Sequence, residues 1–320
     1  MGSVAYETEE QWHSLRAKNV GGSEVAALFN ISPWMTRWQL YMVKSGKLPA
    51  VDLSDNAAVT AGKHMEHGIR GWAEEKFGIT LQKTRRYLLD DMVPGMGASL
   101  DFEQVGTGSR IPVEVKFSQF GKDGWAWDGD TLTEVPDHYL MQTQHQMACA
   151  NAAESKLIAF VGGDLRSMSI PRNDRLIIAI RAAVASFWDD VKNDREPPVD
   201  FSADSDAINR LAYLRKLRSL VMTPDRAPLF EALAKAKADA KDAETREDAA
   251  RAEILKAVVD AGEGPDTALV VTCGDWRAAL SKIPDNPGKE VTPDMVGTRI
   301  GAKRGHLRVG LKNTTDKKKD

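Results

Sequence analysis

Residues 96–118, MGASLDFEQVGTGSRIPVEVKFS, constrain the fold more than any other stretch. Two runs of strand character flank Gly106-Thr107-Gly108-Ser109, where two glycines are free to take positive φ, so the segment is predicted to be a hairpin. The first run, Met96–Gln104, carries Asp101. The second, Arg110–Ser118, alternates: Ile111, Val113, Val115 and Phe117 fall on one face, and Pro112, Glu114 and Lys116 on the other. Pairing the runs sets Asp101 beside Glu114, with Lys116 two residues on along the same face. Two carboxylates and an ammonium at one end of a sheet are the ingredients of a divalent-metal site with a charged assistant. The same residues also describe a solvated hairpin face, since Glu and Lys are common on exposed strands. Their interruption of an apolar run favours the metal site, because a carboxylate buried there must be paired or metal-bound.

With 320 residues, 42% of them hydrophobic and 28% charged, the chain can build one large domain or a domain with an appendage. A net charge of −3 gives no global pull toward nucleic acid, yet a nuclease needs only a local basic groove. Two cysteines, Cys149 and Cys273, are too few for a disulfide framework and fit a reducing cytosol. No apolar stretch approaches the ~20 residues of a membrane span, and no signal peptide or myristoylation motif opens the chain.

Glu9–Lys18 reads as a helix with Thr8 as N-cap, and Gln11 completes a capping box. Gly21-Gly22-Ser23 breaks it, and Ser23 is read as the N-cap of a helix Glu24–Phe29. The amides there form an anion site with Arg16 nearby, or simply a capped helix. A further helix is predicted at Thr36–Lys44. A longer one, Asp55–Phe77, has Ala61, Met65, Ile69, Trp72 and Phe77 on its apolar face and Glu66 one step away. His64 and His67 lack a second ligand pair at zinc-like spacing and read as ordinary histidines. Ile79–Leu89 is predicted as one strand. Residues 118–135 read as a long loop in which Trp125 and Trp127 either stack on bases or cover the core. Pro136 opens a helix to Asn151 with Tyr139, Gln142 and Gln146 on one polar face, turned to a site or to solvent. A strand pair, Lys156–Gly162 and Leu165–Ile170, precedes a helix from Asp174 to about Asn193. Beyond Asp204 the composition shifts to Ala and charged residues. Two helices broken near Thr223-Pro224, small strands at 268–281 and 298–311, and a basic tail at Lys317-Lys318-Lys319 are expected. The domains are read as a core at 1–200, a helical arm at 201–262 and a small β-containing region at 263–320.

Taken in order, Arg16, the GGSEVAAL stretch, Glu66, the ASLD ending at Asp101, the EVK of Glu114–Lys116 and the YLMQTQHQM helix resemble the YqaJ-type viral recombinases. These are grouped with the lambda-type exonucleases in the PD-(D/E)xK superfamily. The resemblance covers residues 10–198. It implies an α/β (α+β) core of restriction-endonuclease type, a central mixed sheet flanked by helices, carrying a C-terminal helical arm and a small β element. It implies Asp101 and Glu114 as metal ligands with Glu66 and the Val115 carbonyl contributing, Lys116 as the catalytic lysine, and Gln142 with Tyr139 beside the active site. Arg16, Ser23 and Ser99 match positions that hold a terminal 5′ phosphate. Leu100 departs from the pattern, standing where the family usually has a proline. Mg²⁺ suits such oxygen donors, with Mn²⁺ as a substitute. Near the metal-bound water, Lys116 is read either with a depressed pKa suited to proton transfer or as a charge that offsets the transition state.

The resemblance implies a phage or prophage enzyme that degrades double-stranded DNA 5′ to 3′ in recombination. It also implies a companion single-strand annealing protein and a homo-oligomer, a trimer by family precedent. The same site admits a structure-specific or restriction-like endonuclease, and a vestigial site would leave a DNA-binding recombination protein.

Overall fold

The computed structural model describes residues 2–106, 108–118, 124–214, 222–262, 269–282 and 307–313. Two compact units divide the chain, Met1–Arg218 and Ser219–Asp320.

The first unit opens with strand β1 (Gly2–Ala5) and helix α1 (Glu9–Ala17). The capping box forms as predicted: Thr8 Oγ1 accepts from the Gln11 amide at 3.2 Å, and Gln11 Oε1 accepts from the Thr8 amide at 3.4 Å. Thr8→Ala is expected to cost about 1 kcal/mol in urea unfolding, since it leaves first-turn amides without an acceptor. Val25–Phe29 is a 3₁₀ turn rather than an α-helix, and Ser23 does not cap it; Glu24 occupies the N-cap. Helix α2 (Arg37–Lys44) follows, capped by Thr36, and then α3 (Ala57–Phe77), started by Asn56 and stopped by Gly78 in the left-handed region. The inward stripe of α3 runs through Ile69 and Ala73, while Met65 and Trp72, expected on it, are exposed.

The strand expected at 79–89 is two strands, β2 (Thr80–Gln82) and β3 (Arg86–Leu89), which belong to different sheets. The first arm of the expected hairpin likewise divides, into β4 (Gly97–Ser99) and β5 (Phe102–Val105), and Asp101 sits in the break. Strand β6 (Ile111–Ser118) is continuous. Of the turn between β5 and β6, Thr107 lies outside the described residues. The loop expected at 118–135 carries a short hairpin, β7 (Ala126–Asp128) and β8 (Thr131–Glu134); Gly121 lies outside the described residues. Helix α4 (Asp137–Ala150), strands β9 (Glu154–Val161) and β10 (Asp164–Pro171), and helices α5 (Asp174–Lys192) and α6 (Ser205–Leu214) complete the unit.

β1, β3 and β4 form a three-stranded sheet, and a seven-stranded sheet runs in the order β2-β5-β6-β9-β10-β8-β7. The large sheet is mixed, with β6 parallel to β9 and antiparallel to β5. Its two faces are covered differently. On one, Ile69 and Ala73 of α3 pack on Val113, Val115 and Ile158. On the other, Met147 of α4 packs on Leu157, Ala159 and Val161. The period-2 alternation of β6 therefore sends its valines to α3 and Glu114 and Lys116 toward α4. A third cluster packs α2, α4, α5 and α6 together through Trp38, Tyr41, Ile180, Phe187 and Ala207. Leu100, where a proline was the family expectation, is buried in this cluster.

In the second unit α7 (Ala227–Asp260) is exposed along nearly its whole length and carries ion pairs four residues apart, such as Arg246–Asp242 at 3.0 Å. Strands β11 (Leu269–Cys273), β12 (Trp276–Lys282) and β13 (Leu307–Asn313) form an antiparallel sheet. Of the strand expected at 298–311, residues 307–311 fall in β13, while 298–306 and the basic tail at 317–319 lie outside the described residues. Among the described residues no helix is long and apolar enough to cross a membrane.

Candidate active site

The β5–β6 register pairs Phe102 with Val113, which brings the break at Asp101 up to the middle of β6. There Asp101 Oδ2 accepts from the Val115 amide at 2.9 Å. The juxtaposition expected from the hairpin is present, although a chain break rather than a regular strand presents the aspartate. Burial and the nearby Glu114 carboxylate push the Asp101 carboxyl up to about 8, only partly opposed by Lys116. Negative charge is in excess here.

Glu114 is 3% exposed, and both its oxygens are engaged. Oε1 accepts from Lys116 Nζ and from Gln142 Nε2, each at 2.6 Å, and Oε2 accepts from Gln146 Nε2 at 2.6 Å. Lys116 also donates to Gln142 Oε1 at 3.2 Å and lies 4.6 Å above the Tyr139 ring. Gln142 thus fixes lysine and carboxylate together, using its amide at one and its carbonyl at the other. Burial acts to lower the Lys116 pKa, but Glu114 and Asp101 outweigh it and hold the ammonium above its ordinary value. Two carboxylates face one cation.

The polar face of α4 is buried rather than solvated. Gln142 and Gln146 serve Glu114, Gln144 donates to the Pro171 carbonyl at 2.8 Å, and His145 Nε2 contacts the Gly97 carbonyl at 2.9 Å. Gln146 belongs to the site as fully as Gln142. Its spacing of four from Gln142 is the signal that finds it.

A second cluster adjoins the first. Arg16 Nη2 lies 3.5 Å from Ser23 Oγ, and its guanidinium stacks 4.7 Å from the Trp12 ring. Trp12 Nε1 donates to Ser99 Oγ at 3.3 Å, and the Ser99 carbonyl is 3.5 Å from Gln146 Nε2. Arg16, Ser23 and Ser99 are therefore brought together and linked to Glu114 through Gln146. Gly22 lets this loop approach α4: a Cβ there would lie 3.2 Å from Gln142 Cγ. No helix N-terminus creates the anion site, because the following turn is 3₁₀. The groups an anion would meet here are the Arg16 guanidinium and the hydroxyls of Ser23 and Ser99.

Sequence reasoning passed over what holds Arg16. Glu24, 3.6 Å from Arg16, is bound by the buried Lys44 at 2.8 Å and by the Gly21 amide at 2.8 Å. Lys44 also donates to the carbonyls of Arg16 and Asn19, each at 2.7 Å. Burial pushes the Glu24 carboxyl up, but Lys44 and then Arg16 outweigh it, leaving it below its ordinary value. At Lys44, burial wins over the pull of Glu24 and the ammonium also lies below its ordinary value.

Glu66 is the expected residue that stands apart. Its carboxylate is paired with Lys83, whose ammonium lies 5.0 Å from the Phe102 ring. It is still close enough to raise the Asp101 pKa. Among the described residues no three His, Cys, Asp or Glu side chains cluster as a metal site. The site consists of two carboxylates, Asp101 and Glu114, with a third nearby on α3. Val115 enters through its amide, bound to Asp101.

Residues 11–153 match the model of the YqaJ-like viral recombinase domain. Among curated proteins, YqaJ of Bacillus subtilis (strain 168) is 24% identical over 213 residues, which take in 65% of this chain and 63% of that protein. The match thus spans less than two thirds of the relative's length. Among solved structures, an alkaline exonuclease (LHK-Exo) from Laribacter hongkongensis is 18% identical with a TM-score of 0.42, covering 64% of this chain and 98% of that one. LHK-Exo in complex with dAMP gives 18% identity and a TM-score of 0.44, covering 62% and 98%.

Proposed function

We infer from the YqaJ-like viral recombinase domain at residues 11–153 that this chain is a metal-dependent nuclease that degrades double-stranded DNA from 5′ ends. The observation that carries this reading is the convergence of Asp101, Glu114 and Lys116 at one point of β6, next to Arg16, Ser23 and Ser99.

The donor set suits Mg²⁺ or Mn²⁺: hard carboxylate oxygens, with the Asp101 carboxyl buried and set beside the buried Glu114. Asp101 and Glu114 would hold the ion, with Glu66 and the Val115 carbonyl as further oxygen donors. Such an ion lowers the pKa of bound water and polarises a phosphoryl oxygen. The chain's own groups do the rest. Lys116, hydrogen-bonded to Glu114 and Gln142, donates hydrogen bonds to the attacking water or to a phosphate oxygen, so it positions and offsets charge. Gln142 and Gln146 fix Glu114 so that no reorganisation is needed as charge develops. Arg16, Ser23 and Ser99 receive a terminal phosphate through charge-assisted hydrogen bonds.

End-labelled linear duplex, digested with Mg²⁺, tests this reading. A 5′-phosphorylated end is expected to be degraded at least tenfold faster than a 5′-hydroxyl end, and Arg16→Ala to remove that difference. Covalently closed circles should resist. Rapid nicking of circles, or indifference to the 5′ group in the native chain, would overturn end-directed action.

A further inference from the structure

We propose that Trp34 is a stacking platform for the nucleobase at the DNA end, placed to hold the nucleotide whose phosphodiester bond is cleaved. This rests on the nuclease reading above and assigns a role to a residue outside the carboxylate and phosphate clusters. Trp34 lies in the turn before α2, where its amide donates to Ser32 Oγ at 3.3 Å. Its side chain is 63% exposed, unusual for an indole with no cover of its own.

Its surroundings connect it to the reacting groups. His138 meets Trp34 edge-on with ring centroids 4.7 Å apart, and Tyr139 lies 6.0 Å from it. His138 and Tyr139 are 4.1 Å apart, and Lys116 Nζ lies 4.6 Å above the Tyr139 ring. An aromatic ladder therefore runs from solvent to the ammonium that binds Glu114. His138 Nε2 is buried and has no hydrogen-bond partner among the described residues. A polar nucleotide edge arriving at Trp34 is the kind of group that would supply one.

A nucleobase fits this ladder better than other ligands. Every base has a π-face, so an indole can hold any of the four, as an enzyme that consumes arbitrary sequence requires. The phosphate on one side of such a base would reach Lys116 and the carboxylate site. A partner protein's apolar side chain is the competing occupant, and it would be indifferent to the bases of the DNA.

The test compares native chain, Trp34→Ala and Trp34→Phe on duplexes with normal ends and on duplexes whose three terminal nucleotides on each strand are abasic. Since the indole is exposed, the variants should keep the native thermal unfolding midpoint. On normal ends Trp34→Ala is expected to raise KM about tenfold, and Trp34→Phe to restore most of the loss. On abasic ends native and Trp34→Ala should be equal. In parallel, anisotropy with a labelled duplex and Ca²⁺ in place of Mg²⁺ reads binding alone. Equal KM and equal Kd for native and Trp34→Ala on normal ends would overturn the platform while leaving the nuclease reading intact. A base-dependent loss of affinity in a native chain that does not cleave would do the reverse. A defect of the same size on normal and abasic ends would overturn base stacking and point to a contact with the DNA backbone.

Discussion

Lys116→Ala is expected to bind duplex DNA nearly as well as the native chain and to cleave it about a thousandfold more slowly. The lysine touches Glu114 and Gln142, whereas the Arg16, Ser23 and Ser99 cluster that would hold the DNA end does not depend on it. Removing it also leaves Gln142 and Gln146 on Glu114, so the fold should survive. A positioned donor at developing charge contributes roughly 10²–10³ in rate. Lys116→Arg should rescue little, because a planar guanidinium cannot enter the position between Glu114, Gln142 and the Tyr139 ring as a compact ammonium does. Asp101→Ala and Glu114→Gln should each remove metal-dependent activity. Single-turnover cleavage beside anisotropy separates chemistry from binding, and turnover of Lys116→Ala within tenfold of native would remove its assigned role.

The second large effect is structural. Lys44→Met is expected to destabilise the first unit by about 3–5 kcal/mol, because it leaves the Glu24 carboxylate buried with Arg16 as its remaining cation. The Lys44 side chain is 3% exposed and meets Glu24 and two backbone carbonyls, so methionine can fill the volume but none of the charge. Glu24→Gln combined with Lys44→Met should recover much of the loss, since the buried charge then disappears with its partner. Urea unfolding reads both. The pH dependence has a definite sign. A carboxyl whose folded pKa lies below its ordinary value stabilises the fold above that ordinary value, and the contribution fades as pH falls through the folded pKa. The native chain should therefore lose stability on acidification faster than Glu24→Gln. A Lys44→Met chain as stable as the native one would show that Glu24 finds another partner.

Periodicity and local chemistry carried a large share of the fold. The Thr8–Gln11 capping box, the α2, α4 and α5 helices, the β9–β10 pair and the two faces of β6 are all legible because each depends on side chains within a few residues. The errors share a cause. Residues 79–89 and 96–104 look like single strands by composition, yet each divides between two sheets, a choice made by partners far away in the chain. Ser23 satisfies every local requirement of an N-cap, but the following residues pack as a 3₁₀ turn under the core.

By itself the sequence determined that Glu114 and Lys116 share a strand face and that Gln142 and Gln146 share a helix face, because pleat and helix pitch are properties of the backbone. Only the tertiary structure decided that these two faces meet, that Lys116 is held charged by two carboxylates, that Glu66 turns to Lys83, and that Lys44 anchors the end of the helix carrying Arg16. The physical reason is desolvation. Which charge is paired with which, and at what pKa, follows from what is packed around it, and that packing is assembled from segments tens of residues apart.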